Sequence, residues 1–139
     1  MAASDKARVR LVHPYAWLWE PLESDPTFVL RAMFGARAVY LGGRMVLCFS
    51  AKQEPWRGVL ICTDQSHHAS LVAEFPSLRS HPILPKWLYL AESVTEFEAV
   101  AERLVRLVHG RDPRIGIEPA RHKRPRRRAA KPRRRAGGP

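Results

Sequence analysis

Short runs of apolar residues, rich in β-branched and aromatic side chains, alternate with polar or glycine-rich segments between residues 27 and 62. Runs of this length and composition are typical of β-strands. The Gly42-Gly43 pair between the second and third runs suits the positive φ angles of a tight hairpin turn. Because no helix-length segment separates the runs, they predict an antiparallel meander. The four predicted strands are residues 28–30, 38–41, 45–49 and 58–62.

A different period, with apolar residues three and four positions apart, predicts a long amphipathic helix after residue 93. Ser93 and Glu96 have the spacing of a capping box before it, and Gly110 is a typical stop after it. Earlier in the chain, Asp64 predicts the N-cap of a shorter helix that Pro76 stops. The apolar positions of the long helix are Phe97, Val100, Ala101, Leu104, Leu107 and Val108.

Three further elements complete the pattern. Residues 86–90 are apolar on both faces and predict one more strand. Near the N-terminus, residues 9–12 predict a short edge strand, and a short helix is predicted to begin at Pro14 and to end at Pro21. The whole pattern predicts an α+β fold, in which helices pack on a central antiparallel sheet and a long helix comes last.

Charge is distributed unevenly along the 139 residues, whose formal net charge is +11. Residues 1–118 carry 14 Lys and Arg against 13 Asp and Glu, whereas residues 119–139 carry 10 basic residues and no acidic ones. The basic segment has no large apolar side chain, so it is predicted to be disordered because it cannot offset the entropy of ordering. We therefore divide the chain into an N-terminal extension with the short helix (1–26), an α+β domain (27–118) and a basic tail (119–139).

The composition disfavours membrane proteins and disulfide-stabilised secreted proteins. The longest apolar stretches fall far short of the roughly 20 residues that a membrane span needs. The N-terminal segment mixes charge and proline and lacks the apolar core of a signal peptide, which favours a cytoplasmic location. Two cysteines, Cys48 and Cys62, are too few for a disulfide framework and are expected to be buried, reduced thiols.

The sequence offers no constellation that is typical of catalysis or metal binding. The adjacent His67 and His68 would point about 100° apart on a helix, so they are poorly placed to share one ion. Ser66 lies beside His67, but neighbours in sequence do not form a nucleophile–base pair, and no Gly-x-Ser-x-Gly motif is present. A Gly-rich phosphate loop is also missing. We therefore expect no enzyme activity, no cofactor and no metal site.

A family resemblance begins in residues 31–45, where the motif Met33-Phe34-Gly35 leads into a predicted strand, a tight turn and a second strand that opens Gly-Arg-Met. This order of elements resembles the start of the N-terminal domain of the TfoX/Sxy family. Residues 86–90 lie where that family has its last aromatic-rich strand before an amphipathic helix, so the resemblance covers residues 27–109. It implies an α+β domain that is linked to competence and transcription regulation and has no established catalytic activity.

The basic tail carries the strongest chemical signal in the sequence. Its arginine side chains have forked guanidinium groups that match phosphate oxygens, so the tail is expected to attract polyanions. No aromatic residue is interleaved to stack on bases, which predicts non-specific nucleic-acid binding. A solubilising or protein-docking tail and a tail that binds anionic membrane are the alternatives. The predicted contacts are Arg121, Lys123, Arg124, Arg126, Arg127, Arg128, Lys131, Arg133, Arg134 and Arg135.

Trp56 follows Pro55 in the loop after the third strand and is expected to be the most exposed of the four tryptophans. Two roles are possible for Trp56: packing against the sheet edge, or contact with a protein partner. Trp87 is expected in the core. The sequence thus predicts a non-enzymatic interaction module that its tail localises to nucleic acid. The alternatives are a small-molecule-binding or enzymatic domain with a pocket between sheet and helix, and a protein–protein docking module.

Overall fold

Six strands form one antiparallel sheet in the computed structural model, which describes residues 13–33 and 35–118. In chain order the strands are β1 (Val29–Met33), β2 (Ala36–Leu41), β3 (Arg44–Ser50), β4 (Gly58–Ile61), β5 (Arg79–Ser80) and β6 (Leu88–Ala91). Their order across the sheet is β1-β2-β3-β4-β6-β5, and every neighbouring pair is antiparallel. The predicted central antiparallel sheet is confirmed.

Strands β1 to β4 form the predicted meander, since each pairs with the next along the chain. The β2–β3 hairpin turns at Gly42 and Gly43, whose positive φ angles of 59° and 81° favour glycine. β6 returns to pair with β4, and β5, which the sequence pattern did not predict, pairs with the outer edge of β6. A strand of two residues is too short to show a period of its own.

Three α-helices pack on one face of the sheet, and with the sheet they give the predicted α+β fold. They are α1 (Ala16–Trp19), α2 (His68–Glu74) and α3 (Phe97–His109). A 3-10 turn, Glu20–Ser24, follows α1, and another, Gln65–His67, precedes α2. The Asp64 carboxylate accepts the Ser66 amide N–H at 3.0 Å, so the predicted N-cap at Asp64 is confirmed.

One apolar cluster fills the space between the helices and the sheet. Leu104 of α3 is fully buried there, as the helical period predicts. Residues 16–24 also belong to this core, because Leu18, Trp19 and Leu22 are buried in the same cluster. The N-terminal segment with the short helix is therefore packed on the α+β domain. Strand residues in this cluster include Val39, Leu47, Phe49, Ile61 and Leu90.

The ends of α3 differ in part from the prediction. The helix begins at Phe97 with Glu96 as its N-cap and makes no side-chain capping bond, so the predicted capping box is wrong. The chain first makes a turn after β6, which places Ser93 ahead of the helix start. Gly110 is the C-cap, as predicted, but the left-handed conformation falls on Arg111, whose φ is 61°.

Two other predicted boundaries are wrong near prolines. α1 ends at Trp19, and Pro21 lies inside the 3-10 turn, where a missing backbone N–H leaves no hydrogen bond unmade. The last strand begins at Leu88, because the Trp87 amide donates to the Leu84 carbonyl at 2.9 Å in a preceding turn. Trp87 is consequently half-buried beside the sheet, and its predicted place in the core is wrong.

Some predictions concern residues outside the described part of the chain. These are the edge strand at 9–12, Phe34 of the family motif and the tail at 119–139, so the predictions made for them stay predictions. Within the described ranges, no helix has the length and apolar character needed to cross a membrane.

Candidate binding site

The sheet face turned away from the helices, here called the open face, buries a second and smaller apolar cluster. No helix residue belongs to its apolar cluster in the described part of the chain. Instead, the loops 51–57 and 81–87 and the segment at Ile117 border the cluster. The buried members of the cluster are Ala38, Met45, Cys48, Leu60, Cys62, Tyr89 and Ala91.

A cavity of about 590 Å³ lies on this open face. Its floor includes Cys48 of β3 and Leu60 of β4, and its walls include Trp56 of the 51–57 loop and Trp87 of the 81–87 loop. Small-molecule sites in proteins have volumes of roughly 300–1,000 Å³ and mostly apolar linings. The open-face cavity therefore has the size and the surface of a ligand site.

His81 holds the two wall loops together. Its imidazole is fully buried, and Nε2 donates to the Pro55 carbonyl at 2.7 Å. Nδ1 accepts the backbone N–H groups of Ile83 at 3.1 Å and Leu84 at 3.0 Å, so this nitrogen carries no proton. Burial lowers the pKa of His81, and the bond to the Pro55 carbonyl opposes that shift in part. The neutral ring thus links one wall loop to the other.

Tyr89 and Trp56 add to this link. The Tyr89 hydroxyl lies 2.7 Å from the Arg57 carbonyl and 3.2 Å from the Glu54 carboxylate, so β6 is tied to the 51–57 loop. Burial and the Glu54 charge raise the pKa of Tyr89, which keeps the hydroxyl protonated as a donor. The Trp56 and His81 rings are in contact, with centroids 4.3 Å apart. The walls are therefore fixed before any ligand arrives.

Among the described residues that line the open-face cavity, Lys52 is the charged one. Among the ion pairs of residues 13–33 and 35–118, none includes Lys52. Its Cε lies 2.6 Å from the point that a Cβ on Gly35 would occupy, so the lysine chain lies across this glycine. Gly35 also has a φ of 82°, which favours glycine. The motif glycine thus leaves room for a cation beside the cavity.

The two cysteines meet beneath the cavity. Cys48 and Cys62 are both buried and unbonded, with their Sγ atoms 3.9 Å apart, so the predicted burial is confirmed. Burial raises the pKa of the Cys62 thiol, and contact with Cys48 adds to the shift. A thiol of raised pKa is a poor nucleophile and metal ligand.

The tryptophans are placed differently from the prediction. Trp17 is the exposed one, at 42%. Trp56 is half-buried, since its ring packs against His81, so the prediction that it is the most exposed tryptophan is wrong. Its predicted contact with a protein partner stays a prediction. The wall position of Trp56 and Trp87 is a role that the sequence did not reveal.

His68 and Ser66, which the sequence analysis weighed as a metal ligand and a nucleophile, form hydrogen bonds with other groups. His68 Nε2 lies 2.8 Å from the Lys86 carbonyl, and its Nδ1 lies 3.3 Å from Ser80 Oγ. The Ser66 hydroxyl donates to the Asp64 carboxylate rather than to a histidine. Among the described residues, no group of three or more His, Cys, Asp or Glu side chains is placed to hold a metal ion.

Two arginines close to the start of the tail have acidic partners within the folded domain. Arg111 pairs with Asp25 at 2.9 Å. Arg114 pairs with Asp112 at 2.9 Å and with Glu74 at 2.8 Å. These guanidinium groups are therefore already engaged, and the ten cations predicted to contact nucleic acid all lie beyond the described residues.

Sequence reasoning missed His81 and Lys52. The partners of His81 are backbone groups, one of them 26 positions away, so no side-chain pattern marks it. Lys52 lies in a polar loop, where a lysine is ordinarily a solvated charge. The usable signal was Trp56 directly after Pro55, since large apolar side chains in loops often line binding sites.

Comparisons of the chain with protein-family models, with curated proteins and with solved structures find no match. Two features of the chain itself bear on its function. One is the separation of charge between residues 1–118 and 119–139, and the other is the open-face cavity with Lys52 at its edge.

Proposed function

We propose that the protein is a non-enzymatic interaction module of the TfoX/Sxy N-terminal type, and that it binds nucleic acid non-specifically through residues 119–139. The observation that carries this proposal is the separation of charge. Ten cations lie in 21 residues without a single acid, whereas residues 1–118 are nearly neutral. A dense cationic segment attracts phosphates because each contact releases condensed counterions.

Ion pairs within the folded domain support the proposal that phosphates bind the tail rather than the domain. Arg57, Arg111 and Arg114 each have an acidic partner within 4 Å, so their charges are partly neutralised before any phosphate approaches. Exposed pairs of this kind are weak, but they leave little net positive field. The tail, in contrast, contains no acid that could pair with its arginines.

The proposed binding is non-specific because the tail has no means of reading base edges. It contains no aromatic residue to stack on an unpaired base. Phosphate contacts position a protein on a duplex and carry no sequence information. The link to transcription comes from the resemblance at Met33-Phe34-Gly35, of which Met33 and Gly35 lie beside the open-face cavity.

The salt dependence of duplex-DNA affinity tests the proposal. Anisotropy of a labelled duplex would be measured with the full chain over a range of salt concentrations. The slope of log affinity against log salt is about −0.9 per phosphate contact, so six to ten engaged side chains predict roughly −5 to −9. A duplex of scrambled sequence should give the same curve, since only phosphates are contacted.

Two matched triple variants locate the contacts. Replacing Arg126, Arg127 and Arg128 with alanine should make the slope shallower by about 2.7, because three phosphate contacts are lost. Replacing Arg79, Lys86 and Arg106 with alanine removes the same charge from exposed positions of the folded domain and should leave the slope unchanged.

A more severe variant extends the tail replacement to Arg133, Arg134 and Arg135 and should remove most of the slope. A slope that is unchanged by this six-fold replacement would contradict the proposal, because six of the ten predicted contacts would then contribute nothing. A strong preference for one DNA sequence would contradict it as well, since it requires a surface that reads bases.

A further inference from the structure

We propose that the open-face cavity binds a small amphipathic anion, with an apolar body inside the cavity and one carboxylate at Lys52. The site uses the folded domain and no residue of the tail. It therefore stands independently of the proposed nucleic-acid binding, and either proposal can fail without the other.

The cavity accepts an apolar body because of its lining. Cys48 and Leu60 form part of the floor, and Trp56 and Trp87 stand at the walls, so most of a bound chain or ring would contact apolar atoms. The volume of about 590 Å³ lies within the usual range for small-molecule sites. Met33 and Met45 also line it, and their unbranched side chains can adapt to ligands of slightly different shape.

The cavity stays open because its walls are held by bonds within the protein. The His81 ring spans from the Pro55 carbonyl to the amides of the 81–87 loop, and the Tyr89 hydroxyl reaches the Arg57 carbonyl. An apolar cavity between unfixed loops would close, because closure would bury its lining. Walls that are already ordered also reduce the entropy that a ligand must lose on binding.

The charge of the ligand follows from Lys52. The other charged side chains of the 51–57 loop have partners: Glu54 lies 3.2 Å from the Tyr89 hydroxyl, and Arg57 pairs with Glu92 at 3.7 Å. Lys52 makes no ion pair among the described residues, although it lines the cavity. An ammonium group at the edge of an apolar cavity favours a ligand with a single anionic head.

The tail of the same chain is a poor occupant for this site. It has no large apolar side chain to fill the cavity, and its ten cations would be repelled by Lys52. The ligand needs an apolar body for the cavity and a negative charge for Lys52, and a carboxylate on an aliphatic chain has both. Dodecanoate is therefore a suitable probe, and 1-dodecanol is its uncharged counterpart.

The experiment uses the full-length protein labelled with ¹³C at the methionine methyl groups. Dodecanoate would be added below its micellar concentration while the Met33 and Met45 resonances are followed. We expect both resonances to shift saturably, since both side chains line the cavity. Unchanged resonances would overturn the proposal. Resonances that depend on protein concentration without ligand, together with a dimer by sedimentation, would also overturn it by making a second copy the occupant.

A matched pair of charge reversals tests the role of Lys52. Lys52→Glu should weaken dodecanoate binding by about fivefold or more, because attraction at the carboxylate becomes repulsion. Lys86→Glu makes the same change in the 81–87 loop at a side chain that does not line the cavity, and it should leave the affinity within about twofold. Affinity for 1-dodecanol should be equal in all three proteins. Equal loss in both variants, or no loss in Lys52→Glu, would overturn the assignment of an anionic ligand.

Discussion

The two faces of the sheet bury different side chains, although the same strands supply both. On the helix face, Leu47, Phe49 and Leu90 are buried in one apolar cluster with residues of α1 and α3. The open face buries smaller residues such as Ala38 and Cys48 and borders a cavity of about 590 Å³. The helix face therefore holds the larger apolar cluster, whereas the open face combines a smaller cluster with space that a ligand can occupy.

The largest effects are expected on the helix face, where Leu104 of α3 is fully buried. Leu104→Ala should lower the free energy of unfolding by about 2–5 kcal/mol, because it leaves a void in a close-packed core. Glu102→Ala, on the exposed side of α3, should stay within about 0.5 kcal/mol. Urea denaturation of both variants measures the difference, and equal losses would contradict the assigned faces.

A matched pair of leucines compares the two faces directly. Leu90 of β6 is fully buried on the helix face, whereas Leu60 of β4 borders the open-face cavity. Leu90→Ala should cost about 3–5 kcal/mol and Leu60→Ala about 2–3 kcal/mol, because a side chain beside a void has fewer contacts to lose. If Leu60→Ala proved the more damaging in urea denaturation, the open face would have to be as tightly packed as the helix face.

The dependence of stability on pH gives a smaller effect. Burial lowers the pKa of His81 from its ordinary value of 6.5, so the folded state binds fewer protons than the unfolded state. The free energy of unfolding should therefore be highest above about pH 6.5 and should fall as the pH decreases below it. The pKa of His13 is also lowered, mainly by burial and secondly by the Arg37 charge. Protonation of His13 therefore also reduces the free energy of unfolding as the pH decreases.

Urea denaturation at about pH 7.5 and about pH 5.5 measures this dependence. His81→Gln removes the titrating ring and should reduce the difference between the two conditions, whereas His13→Gln removes only the contribution near α1. Tyr89, whose ring contacts the His81 ring, and Glu54, which lies 3.2 Å from the Tyr89 hydroxyl, remain in both variants. An undiminished difference in His81→Gln would show that protonation of this ring does not affect stability.

The smallest effect is expected from removal of the tail. A chain that ends at Glu118 should unfold at the same urea midpoint as the full chain, because the tail has no large apolar residue to add to either face. Its tryptophan signal in the near-ultraviolet should also be unchanged. Loss of that signal would place part of the fold beyond residue 118.

The sequence predicted the helix face better than the open face. Apolar periodicity located α3 and identified Leu104 as a buried residue, because helix packing depends on side chains three and four positions apart. The same rules misplaced Trp87, since a turn held by a backbone bond to Leu84 precedes β6. Hydrogen bonds between backbone groups do not depend on the pattern of apolar and polar side chains, so that pattern does not predict them.

The candidate site depends on contacts between distant segments, which explains why little of it was predicted. His81 donates a hydrogen bond to the Pro55 carbonyl, 26 positions away, and the Lys52 side chain lies across Gly35 at the cavity. Each residue taken alone fits an ordinary loop. The charge of the tail, in contrast, is a property of composition and could be read directly from residues 119–139.

In the proposed function, nucleic acid binds the tail and not the folded domain. The most direct test is the thermal midpoint of the domain, followed by tryptophan fluorescence, with and without saturating duplex DNA at low salt. A ligand that binds the folded and unfolded chain equally leaves this midpoint unchanged. We expect no shift in the midpoint while anisotropy confirms that DNA is bound. A rise of several degrees would contradict it, because the folded domain would then contribute to DNA binding.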